Sequence, residues 1–408
     1  IKELALIINE DPEILFQKLK NQSKRRKFEP KLLLKDVTRD TVAKISAAKF
    51  RLPGVLVAVV PARDYIYGDM ASHLIGYIRE ITQKQLEQPK YATYMIGDLI
   101  GQYGLESRWE EFLQGQRGRQ RVIVNARGTR VGELSSESEV SGSTLQLTID
   151  RKVQQAADEA LTDKKGAVVA IDPRNGDILA MSSSPRFDPN LFVGEMTTAQ
   201  WKDLSVDKKL NNRAVQGVYP PGSTFKIFTG IAGLSEGVIG QTNRVFCNGA
   251  LHFAGRDYKC HKKSGHGSVD FYEALVQSCD VYFYTVGQRL GVDRINEYAT
   301  KFGLGVKSGI ELNDENQGLV PSSEWKRRRF HERWYPGETL SVSIGQGAVS
   351  LTPLQIANGV AAVVNGGTLY KPRLIKSVIS IDGNKLVDDS NPTVTRKIDL
   401  DPKLFTLV

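Results

Sequence analysis

The stretch Tyr219-Pro220-Pro221-Gly222-Ser223-Thr224-Phe225-Lys226 decides how the rest of the chain is read. Two prolines fix φ and remove backbone donors, so they end an extended segment. Gly222 permits a turn, and the pattern after it predicts a helix from about Ser223 to Ser235, closed by Gly237. Ser223 then lies in the first turn. Residues three apart share a helix face, so Ser223 and Lys226 can touch. A lysine at its ordinary pKa of about 10.4 is a poor base at neutral pH. Burial beside other donors disfavours an ammonium and makes an amine available to take a serine proton. The positive end of the helix favours a developing oxyanion. Ser-x-x-Lys alone is a common tetrapeptide; its proline-rich lead-in and a partner downstream give it meaning.

That partner is Ser278-Cys279-Asp280, at the start of Val281-Tyr282-Phe283-Tyr284. A second hydroxyl there can relay a proton between the lysine and a leaving amine. The pattern predicts one helix from about Tyr272 to Arg289, closed by Gly291. Upstream, Ala167–Ile171 and Ile178–Met181 are apolar runs joined by a turn containing Asn175-Gly176, which predicts an antiparallel hairpin. Leu145–Ile149 reads as a strand and 151–162 as a helix. This half is sheet plus helices, not a βαβ repeat.

Ahead of it the texture differs. Residues 1–34 show helical spacing, with Asp11-Pro12 opening the second helix as cap and first-turn proline. Val55 to Val60 reads as a strand. A polar, Gly-rich stretch at 97–143 ends in serine clusters and sets a domain boundary near residue 140.

The 408 residues allow two to three domains, and 40% hydrophobic with 25% charged residues describes a globular chain rather than a disordered one. The net charge of +9 favours anionic partners, but the basic residues are spread and no nucleic-acid motif accompanies them, so nucleic acid is discounted. No signal peptide and no run long enough to span a bilayer is present.

Several segments together resemble the class B penicillin-binding proteins, nearest to those of the rod-elongation system. They are Asp172-Pro173 with Gly176-Asp177-Ile178-Leu179-Ala180, Phe187-Asp188-Pro189-Asn190, Asn212-Arg213-Ala214 leading into Tyr219-Pro220-Pro221-Gly222, and Ile344-Gly345-Gln346-Gly347 with Leu351-Thr352-Pro353-Leu354-Gln355. In the front part, Tyr67-Gly68, His73–Tyr77 and Gly104-Leu105-Glu106 match the same family's pedestal. The resemblance implies an α/β chain of the α+β kind. A penicillin-binding/β-lactamase-like transpeptidase domain, an antiparallel sheet covered by helices, would occupy 141–408. An α+β pedestal of the dimerisation and partner-contact type would occupy 1–140.

It further implies a serine D,D-transpeptidase that cross-links peptidoglycan stem peptides and is acylated by β-lactams, with Ser223 as nucleophile, Lys226 as base, and Ser278 and Asp280 completing the second motif. A division-type enzyme, a β-lactamase or β-lactam sensor, and an idle scaffold stand as alternatives. A RodA-type glycan polymerase and an MreC-type scaffold are the implied partners. The implied location is the periplasmic side of the inner membrane, with a single N-terminal anchor outside this sequence. The family's third motif, Lys-Thr/Ser-Gly, is not found after Gly347. Lys263-Ser264-Gly265 and Lys307-Ser308-Gly309 come too early and read as decoys, so the catalytic domain is expected to be incomplete at its C-terminal end.

All three cysteines, Cys247, Cys260 and Cys279, crowd around His266. Such a soft four-donor set suits a closed, structural zinc site. Some relatives hold zinc at matching positions. A Cys247–Cys260 disulfide with Cys279 as a free thiol is the alternative in an oxidising compartment, and His261 and His252 are rival ligands to His266. No cofactor is expected for the chemistry itself.

Overall fold

The computed structural model describes residues 1–21, 30–35, 37–58, 62–126, 130–194, 196–389 and 391–408. The chain divides into two compact units. One comprises Ile1–Asp64, Gly115–Gly142 and Val193–Glu195; the other comprises Tyr65–Gln114, Ser143–Phe192 and Met196–Val408. Among the described residues no helix is long and apolar enough to cross a membrane.

In the first unit, helices Lys2–Ile8, Pro12–Asn21 and Arg39–Ala47 pack around Leu4, Leu15 and Ile45. Asp11 caps the second helix through the Glu13 N–H at 2.8 Å, as the Asp-Pro pair predicts. The hairpin Arg119–Val124 with Arg130–Glu137 completes the unit. The strand expected at Val55 to Val60 is absent from Val55–Ala58, and Val59 and Val60 lie outside the described residues. Val55 packs on the Leu4, Leu15 and Ile45 cluster, but Leu56 is 74% exposed and among the described residues the stretch pairs with no strand, so β-propensity there meets no ladder.

The second unit is built on antiparallel pairs. Gly166–Ile171 pairs with Ile178–Ser184 in the register Val169 to Met181, the hairpin expected from Asn175-Gly176. Arg151–Ala160 packs on the second of these strands and Pro353–Val364 on the first. Thr144–Leu147, Ile375–Ile379 and Lys385–Asp388 form a three-stranded sheet with Ile375–Ile379 in the middle. One apolar cluster joins Ile178 and Met181 to Leu74 and Leu105, which brings Tyr65–Gln114 onto this sheet layer.

The larger cluster lies between helices. It centres on Phe225, Phe228 and Ile231 of the segment that follows Pro220-Pro221 and on Tyr282, Phe283 and Val286. At about 1.5–3 kcal/mol for each fully buried large apolar side chain, these contacts fix both helices as a pair. The expected single helix from Tyr272 to Arg289 is instead two, Phe271–Val276 and Asp280–Leu290. Ser278 between them is left-handed, with φ 54°. The break falls at the Ser-x-Asp motif and turns its side chains toward Lys226.

Candidate active site

Gly222, at φ 58°, turns the chain from Pro220-Pro221 into the short 3-10 segment Gly222–Phe225, which continues as the α-helix Lys226–Ser235. Ser223 is therefore in the tighter first turn and Lys226 begins the α-helix. Behind the turn, Gly345 accepts the Gly222 N–H on its carbonyl at 3.0 Å. A Cβ on Gly345 would stand 2.3 Å from the Gly222 oxygen, and its φ is +72°, so only glycine fits.

The lysine is buried, its side chain 1% exposed. Its Nζ donates to the Ser278 carbonyl at 2.8 Å, to Ser278 Oγ at 2.9 Å and to Asp280 Oδ1 at 2.7 Å. The Phe283 ring lies 5.6 Å from Nζ. Ser278 Oγ in turn donates to Ser223 Oγ at 2.8 Å. Among the described residues Lys226 makes no hydrogen bond to Ser223 itself. The two side chains share a helix face, as expected, but Ser278 Oγ is interposed. The four residues singled out in the sequence thus form one chain of hydrogen bonds, Asp280 to Lys226 to Ser278 to Ser223.

The left-handed backbone of Ser278 lets one residue present both its carbonyl and its hydroxyl to the same ammonium. Such a conformation costs a non-glycine residue on the order of 1 kcal/mol and needs support from its surroundings. The support comes from Cys279, which is buried, and from Asp280, whose Oδ2 accepts the His261 N–H at 2.9 Å. That backbone clamp is invisible to side-chain motifs; only the position of His261 beside Cys260 hints at it.

Cys247, Cys260, His266 and Cys279 converge with every donor atom within 4.8 Å of the others. His266 Nδ1 is 3.6 Å from Cys247 Sγ and 3.5 Å from Cys260 Sγ. Zinc bonds of about 2.3 Å to sulfur and about 2.0–2.1 Å to nitrogen, at a tetrahedral angle, set an S···N edge of about 3.6 Å. The donor set fits that metal in size and softness, and the three thiols are not joined to one another. Burial holds the His266 imidazole below its ordinary pKa, with His261 and Lys262 adding to the effect, so the ring is neutral and able to donate a lone pair. Burial likewise pushes the Cys279 thiol up to about 12. Of the rival histidines, His252 pairs with Asp257 at 2.7 Å on an exposed hairpin. His261 Nδ1 is 3.9 Å from Cys260 Sγ and 3.5 Å from Asp280 Oδ2, between the cysteines and the lysine's partner.

The two early Lys-Ser-Gly tripeptides have other duties. The Ser308 N–H and Oγ both donate to Glu315 Oε1, at 2.7 and 2.6 Å, and the Gly309 N–H reaches Oε2 at 3.2 Å. Gly265 lies against the Cys247 carbonyl, where a Cβ would approach to 2.2 Å, so Lys263-Ser264-Gly265 is part of the cysteine loop.

A serine hydroxyl joined through a second serine to a buried lysine, at the start of a helix packed among other helices, is the side-chain arrangement of the penicillin-recognising class. The chain belongs to the penicillin-binding proteins: residues 166–408 match the penicillin binding protein transpeptidase domain and residues 1–147 the penicillin-binding protein dimerisation domain. It is 38% identical over 381 residues to the peptidoglycan D,D-transpeptidase MrdA of Acinetobacter baumannii, covering 92% of this chain and 56% of that protein. The Escherichia coli K12 counterpart is 36% identical over 375 residues, with 90% and 59% covered. The chain thus spans a little over half the length of these curated relatives. Among solved structures, the complex of penicillin-binding protein PBP2 with MreC from Helicobacter pylori superposes with a TM-score of 0.83 at 26% identity, covering 100% of this chain and 74% of that one. Pseudomonas aeruginosa PBP2 does so with 0.73 at 35% identity, covering 85% and 72%.

Proposed function

We propose that this chain is the transpeptidase portion of a rod-elongation peptidoglycan D,D-transpeptidase, acting through an acyl-enzyme on Ser223. The observation that carries the reading is the unbroken set of hydrogen bonds from Lys226 through Ser278 to Ser223. With the lysine in its amine form, Ser223 Oγ attacks the carbonyl of the penultimate D-Ala of a stem peptide. Its proton passes to Ser278 Oγ, whose own proton passes to Lys226 Nζ. The same path, reversed, protonates the departing D-Ala amine, leaving an ester on Ser223. An amine from a neighbouring stem then attacks the ester, gives its proton to the relay and restores the serine. A β-lactam enters by the first half of this sequence and stays, because its leaving group remains tethered.

Asp280 accepts from Lys226 Nζ, aims the amine and stabilises the ammonium that it becomes once the proton arrives. Cys247, Cys260, His266 and Cys279 would hold a structural zinc, which supplies a rigid cross-link and no chemistry on the substrate. It would bear on catalysis through Cys279 and Cys260, the neighbours of Ser278, Asp280 and His261. Partners of the RodA-type polymerase and MreC-type scaffold kind, and a location on the periplasmic side of the inner membrane, follow from the same reading. A relative in complex with MreC and a peptidoglycan synthase complex that superposes with a TM-score of 0.77 at 33% identity support it.

Intact-mass measurement of the full-length protein with benzylpenicillin tests the reading. One covalent adduct is expected, and none on Ser223→Ala. An adduct that persists in the variant, or is absent from the parent, overturns the assignment.

A further inference from the structure

The site leaves one conspicuous surface unused. From Arg327 to Arg333 every residue is exposed: Arg327-Arg328-Arg329-Phe330-His331-Glu332-Arg333. This run begins in the helix Ser323–Phe330 and continues past its left-handed cap at His331. The other side of the helix is firmly held. Ser322 accepts the Trp325 N–H at 3.1 Å, and Ser323 bonds Asp293 through N–H and Oγ at 2.8 and 2.7 Å. Lys326, which is buried, reaches both carboxylate oxygens of Glu338 at 2.6 and 2.8 Å.

Nearby carboxylates are already engaged. Glu338 holds Lys326, Glu332 lies 3.7 Å from Lys326, and Glu324 lies 3.7 Å from Arg328. Among the described residues Arg327, Arg329 and Arg333 have no carboxylate within ion-pair distance. Cations in a last helical turn complement the helix dipole, which accounts for one or two of them on an otherwise solvated face. It does not account for three unpaired guanidinium groups, nor for the exposed rings beside them. Phe330 is 54% and Tyr335 45% exposed, and Arg333 lies 5.5 Å from the Tyr335 ring.

The mounting links this surface to the active site. Glu338 belongs to the helix Pro336–Ser343, which runs directly into Gly345, the support of the nucleophile turn. We propose that Arg327, Arg329 and Arg333, edged by Phe330 and Tyr335, form an exosite for the carboxylates of peptidoglycan stem peptides, outside the cleft. The inference rests on the transpeptidase reading, in which every uncross-linked stem ends in a D-Ala carboxylate. A guanidinium fork matches a carboxylate bidentately, which a lysine ammonium cannot do. The aromatic edges offer apolar contact to sugar or alanine faces. A lipid surface is disfavoured, because the helix Ser323–Phe330 carries only Trp325 and Phe330 as large apolar side chains and shows no continuous apolar stripe to insert.

The test uses full-length protein whose cleft is already acylated by benzylpenicillin. Muramidase-released glycan oligomers bearing pentapeptide stems are titrated in at low and at physiological salt. Binding that weakens with salt is expected, and the combined Arg327→Gln, Arg329→Gln, Arg333→Gln variant should bind at least tenfold more weakly while acylating at the parental rate. The corresponding lysine triple variant should fall between them. Equal affinity of parent and glutamine variant, no binding by the parent, or binding only to phosphatidylglycerol vesicles would overturn the exosite. Failure of the parent to acylate would instead overturn the transpeptidase reading.

Discussion

Removing Asp280 should leave a buried ammonium without its counter-charge. Lys226 and Asp280 are 2.7 Å apart, with side chains 1% and 13% exposed. At that separation and an effective dielectric of about 20, their attraction is about 6 kcal/mol. Withdrawing both groups from water costs several kcal/mol each, so the pair as a whole contributes little net stability. Breaking it is another matter, because the desolvation cost of the survivor remains. Asp280→Ala also orphans the His261 N–H, worth about 1–3 kcal/mol. Together these predict that Asp280→Ala lowers the unfolding free energy by about 3–5 kcal/mol, and Lys226→Met by a similar amount. The double variant removes both charges, so its loss should fall short of the sum of the two singles by at least about 2 kcal/mol. Urea unfolding of parent, both singles and the double, followed by tryptophan fluorescence, measures the four corners. A double variant that loses the full sum would refute the claim that the two charges depend on each other. Asp280→Asn keeps the acceptor and the shape, and is expected to cost less than Asp280→Ala.

Burial holds His73 down to about 4 from 6.5, against the Lys209 carbonyl that accepts from Nε2 at 2.5 Å, so its neutral form is the folded form. Its stabilising contribution is complete above pH 6.5 and is lost as pH falls toward 4, about 3 kcal/mol in all; urea titrations at pH 7.5 and 5 should show the drop in the parent and lose it in His73→Gln. Gly345→Ala should displace the Gly222 turn, lowering the rate of penicillin acylation at least tenfold, read by stopped-flow labelling, with a stability loss of about 1–3 kcal/mol. Chelation of full-length protein, or Cys260→Ser, should remove a zinc increment from the native mass and slow acylation in parallel; a parent mass without that increment and with a two-hydrogen deficit would favour the disulfide. Ser278→Gly should relieve backbone strain, so any stability loss stays small while acylation disappears; retained acylation would exclude Ser278 from the relay.

Much of the site could be read in the sequence because its signals are local. Pro220-Pro221 stops an extended segment and Gly222 permits the turn after it, and Asn175-Gly176 between apolar runs favours a hairpin, so residue chemistry alone places both. The break at Ser278 could not be read, because Phe271 to Val286 keeps helical spacing on either side and nothing in that periodicity forces a left-handed residue. Nor could the interposed hydroxyl. Spacing along one helix places Lys226 near Ser223, but the direction of Nζ is decided by acceptors on another helix. Val55–Ala58 failed for the complementary reason: strand-forming residues become a strand only when a partner edge receives them.

These failures share a cause that bears on how the site works. Ser278 sits in a conformation its own side chain disfavours, in the three-residue link between the helices Phe271–Val276 and Asp280–Leu290, where its N–H donates to the Leu275 carbonyl at 3.1 Å. What holds it lies on both flanks. The Lys226 ammonium takes its carbonyl and hydroxyl, and Cys279 anchors the next residue in the buried cysteine cluster. The clamp on Asp280 comes from His261, itself adjacent to Cys260 of the same cluster. The cluster therefore grips the second motif at two points separated widely in sequence, while the core between the helices fixes the first. A relay of two hydroxyls and an amine tolerates errors of only a few tenths of an ångström before a hydrogen bond is lost. A strained three-residue link cannot supply that precision alone, which gives a reason for the cluster of Cys247, Cys260, His266 and Cys279 to include the residue next to Ser278.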